Sequence, residues 1–190
     1  MRAHHLIVGG QKSGKTRHAE GLALRWQRGG GRVQVLATAE AHDEEMRARI
    51  AHHQASRPAG FGTVEEPRAL AAALRAHARA DTLLLVDCLT LWLTNWLMPY
   101  VAAGGEPPSQ AAWLQQRAAL LQALEEIDSP IVLVSNEVGW GVSPLSREVR
   151  GFIDQLGLLN QDVARRCGHL TLMAAGQAFT QAVTPQEDLP

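Results

Sequence analysis

The 190-residue chain has few cysteines, and this excludes the classes of protein that depend on them. Cys88 and Cys167 are its only two, and they do not form the closely spaced pair that is typical of a metal site. Two cysteines are also too few for a disulfide scaffold. We therefore expect two reduced thiols, as is usual in a cytoplasmic enzyme.

The sequence also lacks an excess of charge and any long apolar run. Its 18 Lys and Arg residues balance 19 Asp and Glu residues, giving a net charge of -1. A protein that coats nucleic acid would carry a basic excess, so we expect no nucleic-acid partner. No segment approaches the roughly 20 apolar residues that span a bilayer. The N-terminal apolar run is too short for a signal peptide, and we expect a cytoplasmic protein with no membrane span.

What the sequence does have is 46% hydrophobic residues, which is enough for a core. The length fits one domain over residues 1–190. Five short apolar runs are continuous rather than alternating, which indicates strands that are buried on both faces. They are His5–Val8, Val33–Ala37, Leu83–Asp87, Ile131–Ser135 and Leu170–Ala174.

Helical patterns lie between these runs. Three apolar stripes predict helices: Ala19, Leu22, Ala23 and Trp26; Trp113, Leu120, Leu121, Leu124 and Ile127; and Val149, Phe152, Ile153, Leu156 and Val163. Ser143 and Pro144 are interpreted as the cap and first residue of the last helix. Residues 102–109 are expected to form a surface loop. The alternation predicts a single-domain α/β fold with a mostly parallel central sheet flanked by helices.

The motif G-x-x-x-x-G-K-[ST] follows the first strand directly and precedes a helix, which is the context of a phosphate-binding P-loop. Its glycines allow a tight loop whose N–H groups bind anions. Lys15 can reach the β- and γ-phosphates, and the Thr16 hydroxyl can bind Mg²⁺. The motif consists of Gly9, Gly10, Gln11, Lys12, Ser13, Gly14, Lys15 and Thr16.

Asp87 closes an apolar strand and is the candidate acid for holding Mg²⁺. A carboxylate in that position is costly to bury unless it meets a cation or hydrogen-bond donors. The alternative is an ordinary polar residue that ends the strand.

The segment Asp43–Gln54 predicts a helix that carries two histidines. Met46, Ile50 and His53 recur at i, i+4 and i+7, so this stripe should face the protein and leave His53 half-buried. His52 should project into a polar space, where it could act as nucleophile, acid or base, or phosphate ligand. A solvated histidine pair is the alternative.

Polar residues farther along the chain are weaker candidates. Arg57 could contact phosphate, and Glu65 could contact a sugar or a base. Asn136 and Glu137 follow a buried strand, at the sheet edge where ligands bind in α/β folds, although they could simply organise the loop.

Five stretches together resemble the bifunctional adenosylcobinamide kinase/adenosylcobinamide-phosphate guanylyltransferase family. They are GGQKSGKTRHAE, ATAEAHDEEMRARIAHHQASRPAGFGTVEEP, DCLTLWLTNWL, VSNEVGWGVSP and GLLNQDVA. The resemblance covers most of the chain. It implies a fold like that of RecA-type P-loop proteins, phosphorylation of adenosylcobinamide by ATP or GTP, and transfer of GMP from GTP to the resulting phosphate.

The resemblance also implies roles for individual residues. His52 would carry GMP covalently. The guanine-nucleotide contacts would be the P-loop and Ala37, Thr38, Ala39, His53, Gln54, Ala55, Ser56, Glu65 and Asp87. Phe61 and Ile153 depart from the family pattern, and the tail from Gln177 onward matches nothing in it. The family tends to form trimers.

Three other functions stay open at this point. One is a P-loop kinase in which His52 only binds phosphate. Another is a nucleotide-dependent switch that acts through a partner protein. The third is a guanylyltransferase that has no kinase activity, since both reactions would share one P-loop.

Overall fold

The computed structural model of the chain describes residues 3–98 and 108–183, in which strands and helices alternate. The strands are β1 (His5–Gly9), β2 (Arg32–Ala37), β3 (Phe61–Glu65), β4 (Thr82–Asp87), β5 (Ile131–Val134), β6 (His169–Ala174) and β7 (Gln177–Ala182). The helices are α1 (Lys15–Arg28), α2 (Glu44–Ser56), α3 (Leu70–His77), α4 (Leu89–Leu97), α5 (Gln110–Glu126) and α6 (Arg147–Ala164).

All seven strands belong to one sheet, in the order β3-β2-β4-β5-β1-β6-β7. Every neighbouring pair is parallel except β6 and β7, which are antiparallel. Ala175 and Gly176 join these two strands with positive φ angles of 49° and 77°, as a two-residue hairpin turn of the type I′ kind requires. The predicted fold class is confirmed.

Helices cover both faces of the sheet, and each face has its own core. On one face, Ala19 and Ala23 of α1 pack against apolar residues of β1, β2, β4 and β5. On the other face, α3, α4, α5 and α6 cover the sheet, with Trp92 and Trp113 fully buried between them. These two rings lie edge to face, with centroids 5.2 Å apart.

The five predicted strands are all present, but four elements were not predicted. Strands β3 and β7 lie at the two edges of the sheet, and β7 is exposed along its whole length. Helix α4 is apolar on nearly every side, so it shows no stripe, and α3 has only eight residues.

The prediction for the start of the last helix was wrong. Ser146 is the cap, because its side chain accepts a hydrogen bond from the Val149 N–H. Ser143 and Pro144 lie in the preceding loop, where the Arg150 guanidinium donates to the Pro144 carbonyl (2.8 Å). Val149, expected on the buried stripe, is exposed.

Most of the loop predicted at residues 102–109 lies outside the described residues. Within the described part, Ser109 caps α5 by accepting a hydrogen bond from the Ala112 N–H. Across residues 3–98 and 108–183, no helix is long and apolar enough to cross a membrane.

Candidate nucleotide-binding site

The P-loop joins β1 to α1, and its conformation requires glycine at two positions. Gly9 has φ 155°, and a Cβ there would lie 2.4 Å from the Met173 carbonyl oxygen. Gly14 has φ 99° and precedes α1. Helix α1 begins without a side-chain cap and without an acidic residue in its first turn. Its N–H groups therefore stay available to an anion.

Lys15 is the cation of this loop, and it is almost entirely buried (8% exposed). Its Nζ donates hydrogen bonds to the carbonyl oxygens of Gly9 (2.9 Å) and Gly10 (2.6 Å). Burial lowers the pKa of Lys15, and nearby Cys88 and Asp87 counteract this. The loop thus holds a poorly hydrated ammonium group where a phosphate could approach.

The β6–β7 hairpin supports the P-loop from the other side. The Gly176 N–H donates to the Ser13 carbonyl oxygen (3.1 Å), and Met173 contacts the loop near Gly9 and Gly14. No sequence motif assigned a role to this C-terminal segment, so its contact with the P-loop is a finding of the structure.

Asp87 and Thr16 both line the cleft beside the loop. Burial raises the pKa of Asp87, and nearby His53, Arg57 and Lys15 act in the opposite direction. Among the described residues, the Asp87 carboxylate accepts no hydrogen bond and forms no close ion pair. An unpaired carboxylate and a hydroxyl are the oxygen ligands that suit Mg²⁺, so these residues fit the ion.

The polypeptide that follows β2 is held rigidly against the end of β4. The Thr38 hydroxyl donates to the Cys88 carbonyl oxygen (2.7 Å) and accepts from the Cys88 N–H (2.9 Å). Asn95 donates to the Thr38 carbonyl oxygen (2.7 Å). Ala37 and Ala39 line the cleft, whereas Thr38 is fully buried and does not.

One cleft of about 810 Å³ brings most of the predicted site residues together. It is lined by Gln11, Lys12, Ser13, Gly14, Lys15, Thr16, Ala37, Ala39, His52, His53, Gln54, Glu65 and Asp87. Gly9, Gly10, Thr38, Ala55 and Ser56 do not line it.

Basic side chains outnumber acidic ones around this cleft. Lys12, Lys15, Arg17, Arg49 and Arg57 line it, against Glu45, Glu65 and Asp87. A chain with almost no net charge therefore has a local site for a polyanion.

Helix α2 forms the opposite wall of the cleft and carries both histidines. Asp43 caps it by accepting a hydrogen bond from the Met46 N–H (2.7 Å). None of its residues is buried. Met46 and Ile50 are partly covered as predicted, but the prediction of a half-buried His53 was wrong. The helix borders open space instead of packing on the core, so His53 is exposed and lines the cleft with His52.

Contacts between side chains organise the end of this wall. Gln54 on α2 donates to the Glu65 carboxylate on β3 (3.0 Å), and Arg57 donates to the Thr63 hydroxyl (2.9 Å). These two hydrogen bonds join α2 and the residue that follows it to the edge strand β3.

Comparison with known proteins places this arrangement in a family. The model of the CobU family, described as cobinamide kinase / cobinamide phosphate guanyltransferase, matches residues 5–180. The bifunctional adenosylcobalamin biosynthesis protein CobP of Pseudomonas aeruginosa is 48% identical over 171 residues, which is 90% of this chain and 92% of that protein. The bifunctional adenosylcobalamin biosynthesis proteins CobU of Escherichia coli and Salmonella typhimurium are 36% and 38% identical, each over 90% of this chain and 95% of their own length.

Among solved structures, an ATPase domain has a similar fold, with a TM-score of 0.50 at 13% identity. The match covers 90% of this chain and 69% of that one. The family match extends from β1 to Thr180 in β7, so the expectation that nothing from Gln177 onward matches the family was wrong for the first part of that segment. The chain therefore belongs to the cobinamide kinase / cobinamide phosphate guanyltransferase family.

Proposed function

We propose that this protein phosphorylates the aminopropanol hydroxyl of adenosylcobinamide with ATP or GTP, and then transfers GMP from GTP to the new phosphate. The observation that carries the proposal is the pairing, in one cleft, of a P-loop on one wall with a histidine-bearing helix on the other. A plain kinase needs the first wall only. A nucleotidyl transfer through a protein nucleophile needs both.

In the kinase step, the P-loop amides and Lys15 hold the β- and γ-phosphates. The substrate hydroxyl attacks the γ-phosphorus, and the bond from that phosphorus to the bridging oxygen breaks. Phosphoryl transfer of this kind depends on positioning and charge neutralisation, and it needs no protein nucleophile.

Thr16 and Asp87 are the residues that would hold Mg²⁺ in this cleft. When bound, the ion supplies charge neutralisation for the phosphate oxygens. The partly buried Asp87 carboxylate, which has no close ionic partner among the described residues, supports this assignment.

In the guanylyl-transfer step, a neutral His52 nitrogen attacks the α-phosphorus of GTP. A phosphorus–nitrogen bond forms, the bond to the β-phosphate breaks, and pyrophosphate leaves. An oxygen of adenosylcobinamide phosphate then displaces His52, which regenerates the free imidazole and gives adenosylcobinamide-GDP. Two displacements, each with a good leaving group, replace one difficult step.

The guanine nucleotide would lie between the end of β2 and helix α2. Ala37 and Ala39 offer small side chains there, and Gln54 and Glu65 offer polar groups. Of the contacts implied by the resemblance, Thr38, Ala55 and Ser56 do not line the cleft. Thr38 would act indirectly, by holding the neighbouring backbone in place.

We also propose a cytoplasmic homotrimer that acts on small molecules and binds no nucleic acid. The near-zero net charge supports the last point. In the loop between β5 and α6, the exposed fractions are 75% for Trp140, 97% for Val142 and 99% for Leu145. Exposed apolar side chains that lie together are typical of protein–protein interfaces, which supports self-association.

The test is to supply adenosylcobinamide, Mg²⁺ and either ATP or GTP, and to identify the products by mass spectrometry. We expect the phosphate ester with either nucleotide, and adenosylcobinamide-GDP only with GTP. Lys15→Ala should abolish both products, because the described residues contain one P-loop. If GTP gives adenosylcobinamide-GDP with added adenosylcobinamide phosphate but not with adenosylcobinamide, the protein is a guanylyltransferase without kinase activity. Nucleotide hydrolysis without either product would favour a switch.

A further inference from the structure

Asn136 is a cleft residue that the mechanism above does not use. It lies just beyond β5, and both of its backbone polar groups are held by other elements. Its N–H donates to the Thr90 hydroxyl (2.8 Å), and its carbonyl oxygen accepts a hydrogen bond from the Asn160 side chain (3.0 Å). Because both backbone groups are occupied, what Asn136 can offer to the cleft is its side-chain carboxamide.

The alternation of the strands shows where that side chain lies. Val132 and Val134 of β5 pack on the face of the sheet covered by α1, and Val134 is paired in register with Asp87. Asn136 continues this series, since side chains two residues apart share a face. It therefore lies on the same face as Asp87, one step farther along the neighbouring strand.

Contacts with the P-loop place Asn136 at the Lys15 end of the cleft. The next residue, Glu137, donates its N–H to the Gly9 carbonyl oxygen (3.1 Å). Lys15 donates to that same oxygen. Strand β5 lies between β4 and β1, whereas α2 follows β2 on the other side of β4. Asn136 and His52 therefore flank Asp87 from opposite sides.

We propose that the Asn136 carboxamide is a catalytic residue of the phosphoryl-transfer step and not of guanylyl transfer. This inference rests on the proposed function. Its Nδ2 donates to an oxygen of the γ-phosphoryl group, and its Oδ1 accepts from the attacking hydroxyl. The hydroxyl oxygen bonds to the γ-phosphorus, the bridging bond breaks, the nucleoside diphosphate leaves, and the hydroxyl proton passes to water. The carboxamide orients the reactants and takes no proton.

Thr90 and Asn160 have a different task, because neither contacts the substrate in this mechanism. Each is mostly buried and fixes one backbone group of Asn136. They are positioning residues. Hydrogen-bond donors that are already fixed where charge develops stabilise the transition state far more than mobile donors do. We therefore expect these two hydrogen bonds to serve catalysis as well as stability.

The test exploits the presence of two reactions in one cleft. Asn136→Ala and the nearly isosteric Asn136→Leu are assayed for adenosylcobinamide phosphorylation with Mg²⁺ and ATP. They are assayed separately for the rate at which protein acquires label from α-labelled GTP. We expect the kinase kcat to fall about 100-fold, as for loss of one preorganised donor, while labelling stays within about threefold of wild type.

Controls separate catalysis from folding. Ser129→Ala removes a buried hydroxyl at the far end of β5, where it donates to the Arg79 carbonyl oxygen, and should lower stability without changing the ratio of the two rates. Thr90→Val should reproduce part of the kinase-selective loss, and Thr90→Ser should restore it.

Equal losses in both reactions, or a kinase rate within about threefold of wild type, would overturn the role of Asn136. In either case the wild-type protein still carries out both reactions, so the proposed function survives. Absence of kinase activity in the wild type would remove the proposed function and this inference together.

Discussion

At the scale of single residues, substitutions of the two histidines of α2 distinguish a bifunctional enzyme from a plain kinase. Both line the cleft, with ring centroids 6.3 Å apart. His52→Ala should lose guanylyl transfer but keep adenosylcobinamide phosphorylation, because γ-phosphoryl transfer needs no protein nucleophile. His53→Ala is the matched control. Because His53 is exposed, its removal should change the free energy of unfolding by only about 0.5 kcal/mol.

The measurements are the rates of both reactions and a denaturant titration for each variant. Loss of guanylyl transfer in His53→Ala with retention in His52→Ala would show that the nucleophile has been assigned to the wrong histidine. Loss of both reactions in His52→Ala would mean that the side chain supports nucleotide binding as a whole.

Asp87 is the second residue with a distinct expected effect. Asp87→Asn should reduce Mg²⁺-dependent turnover by at least about 100-fold, because it removes a charged ligand of the ion. Nucleotide binding in EDTA should change little. Calorimetric titrations with and without Mg²⁺ check this. An equal loss of affinity in both conditions would identify Asp87 as a purely structural residue at the end of β4.

At the scale of elements, α2 is stabilised mainly by its own local interactions, since none of its residues is buried. Its capping residue should therefore matter to catalysis. Asp43→Ala removes the hydrogen bond to the Met46 N–H, which costs about 1 kcal/mol of helix stability. We expect slower labelling by α-labelled GTP with an unchanged kinase rate, and Asp43→Asn, which keeps a capping oxygen, should behave like wild type. A fall in the kinase rate of equal size would contradict this separation of the two walls.

Three histidines connect β1, β6 and α1, away from the P-loop motif. The His5 ring nitrogen lies 2.7 Å from the Thr171 hydroxyl, and the ring is 5.5 Å from that of His169 and 6.5 Å from that of His18. Burial of the ring, together with smaller electrostatic effects of His169, His18 and Arg25, lowers the pKa of His5 from 6.5 to about 4. Burial and Arg25 also lower the pKa of His18.

This cluster predicts a loss of stability in acid. His5 is neutral in the fold and takes a proton more readily when unfolded, so its contribution is complete above pH 6.5 and is lost as the pH falls towards about 4. For a half-buried ring screened by water, we expect a loss on the order of 1–3 kcal/mol. Urea unfolding at neutral and acidic pH should show a smaller drop for His5→Gln than for wild type. An identical drop in both proteins would exclude His5 as the cause.

The elements that could be predicted from the sequence are those whose apolar pattern reflects burial. The interior strands β4 and β5 are continuous apolar runs because both of their faces are covered. The edge strand β7 (QAFTQA) is exposed at every position, so no such pattern arises. Helix α2 was predicted over Asp43–Gln54 from its i, i+4, i+7 spacing, but the exposure of His53 follows from the fact that the helix does not pack on the core.

The candidate site likewise contains residues that a local sequence pattern predicts and residues that only the fold brings into place. The P-loop and Asp87 were predictable because a local motif and a strand end define them. The buried position of Thr38 depends on Asn95, 57 positions away in sequence, and the support of Ser13 comes from Gly176. Contacts between residues so far apart in the sequence leave no local sequence pattern that could predict them. The position of Asn136 likewise depends on the hydrogen bond that it donates to Thr90 of α4 and on the one that it accepts from Asn160 of α6.

At the scale of the whole molecule, the proposed function has one sheet arrange two chemistries around a single cleft. β1 presents the P-loop, β4 presents Asp87, and the connection after β2 presents α2. The β6–β7 hairpin holds the P-loop from behind, so the C-terminal part of the described chain also contributes to the site. As proposed above, this one cleft both transfers the γ-phosphoryl group and forms a covalent bond to GMP.

The most direct measurement is to incubate the wild-type protein with α-labelled GTP and Mg²⁺, denature it, and locate any retained label by peptide mass spectrometry. We predict label that is acid-labile and base-stable, as for a phosphorus–nitrogen bond, on the α2 peptide at His52, and none in Lys15→Ala. If wild-type protein retains no label while it phosphorylates adenosylcobinamide, the cleft is that of a plain kinase and the account of His52 is wrong.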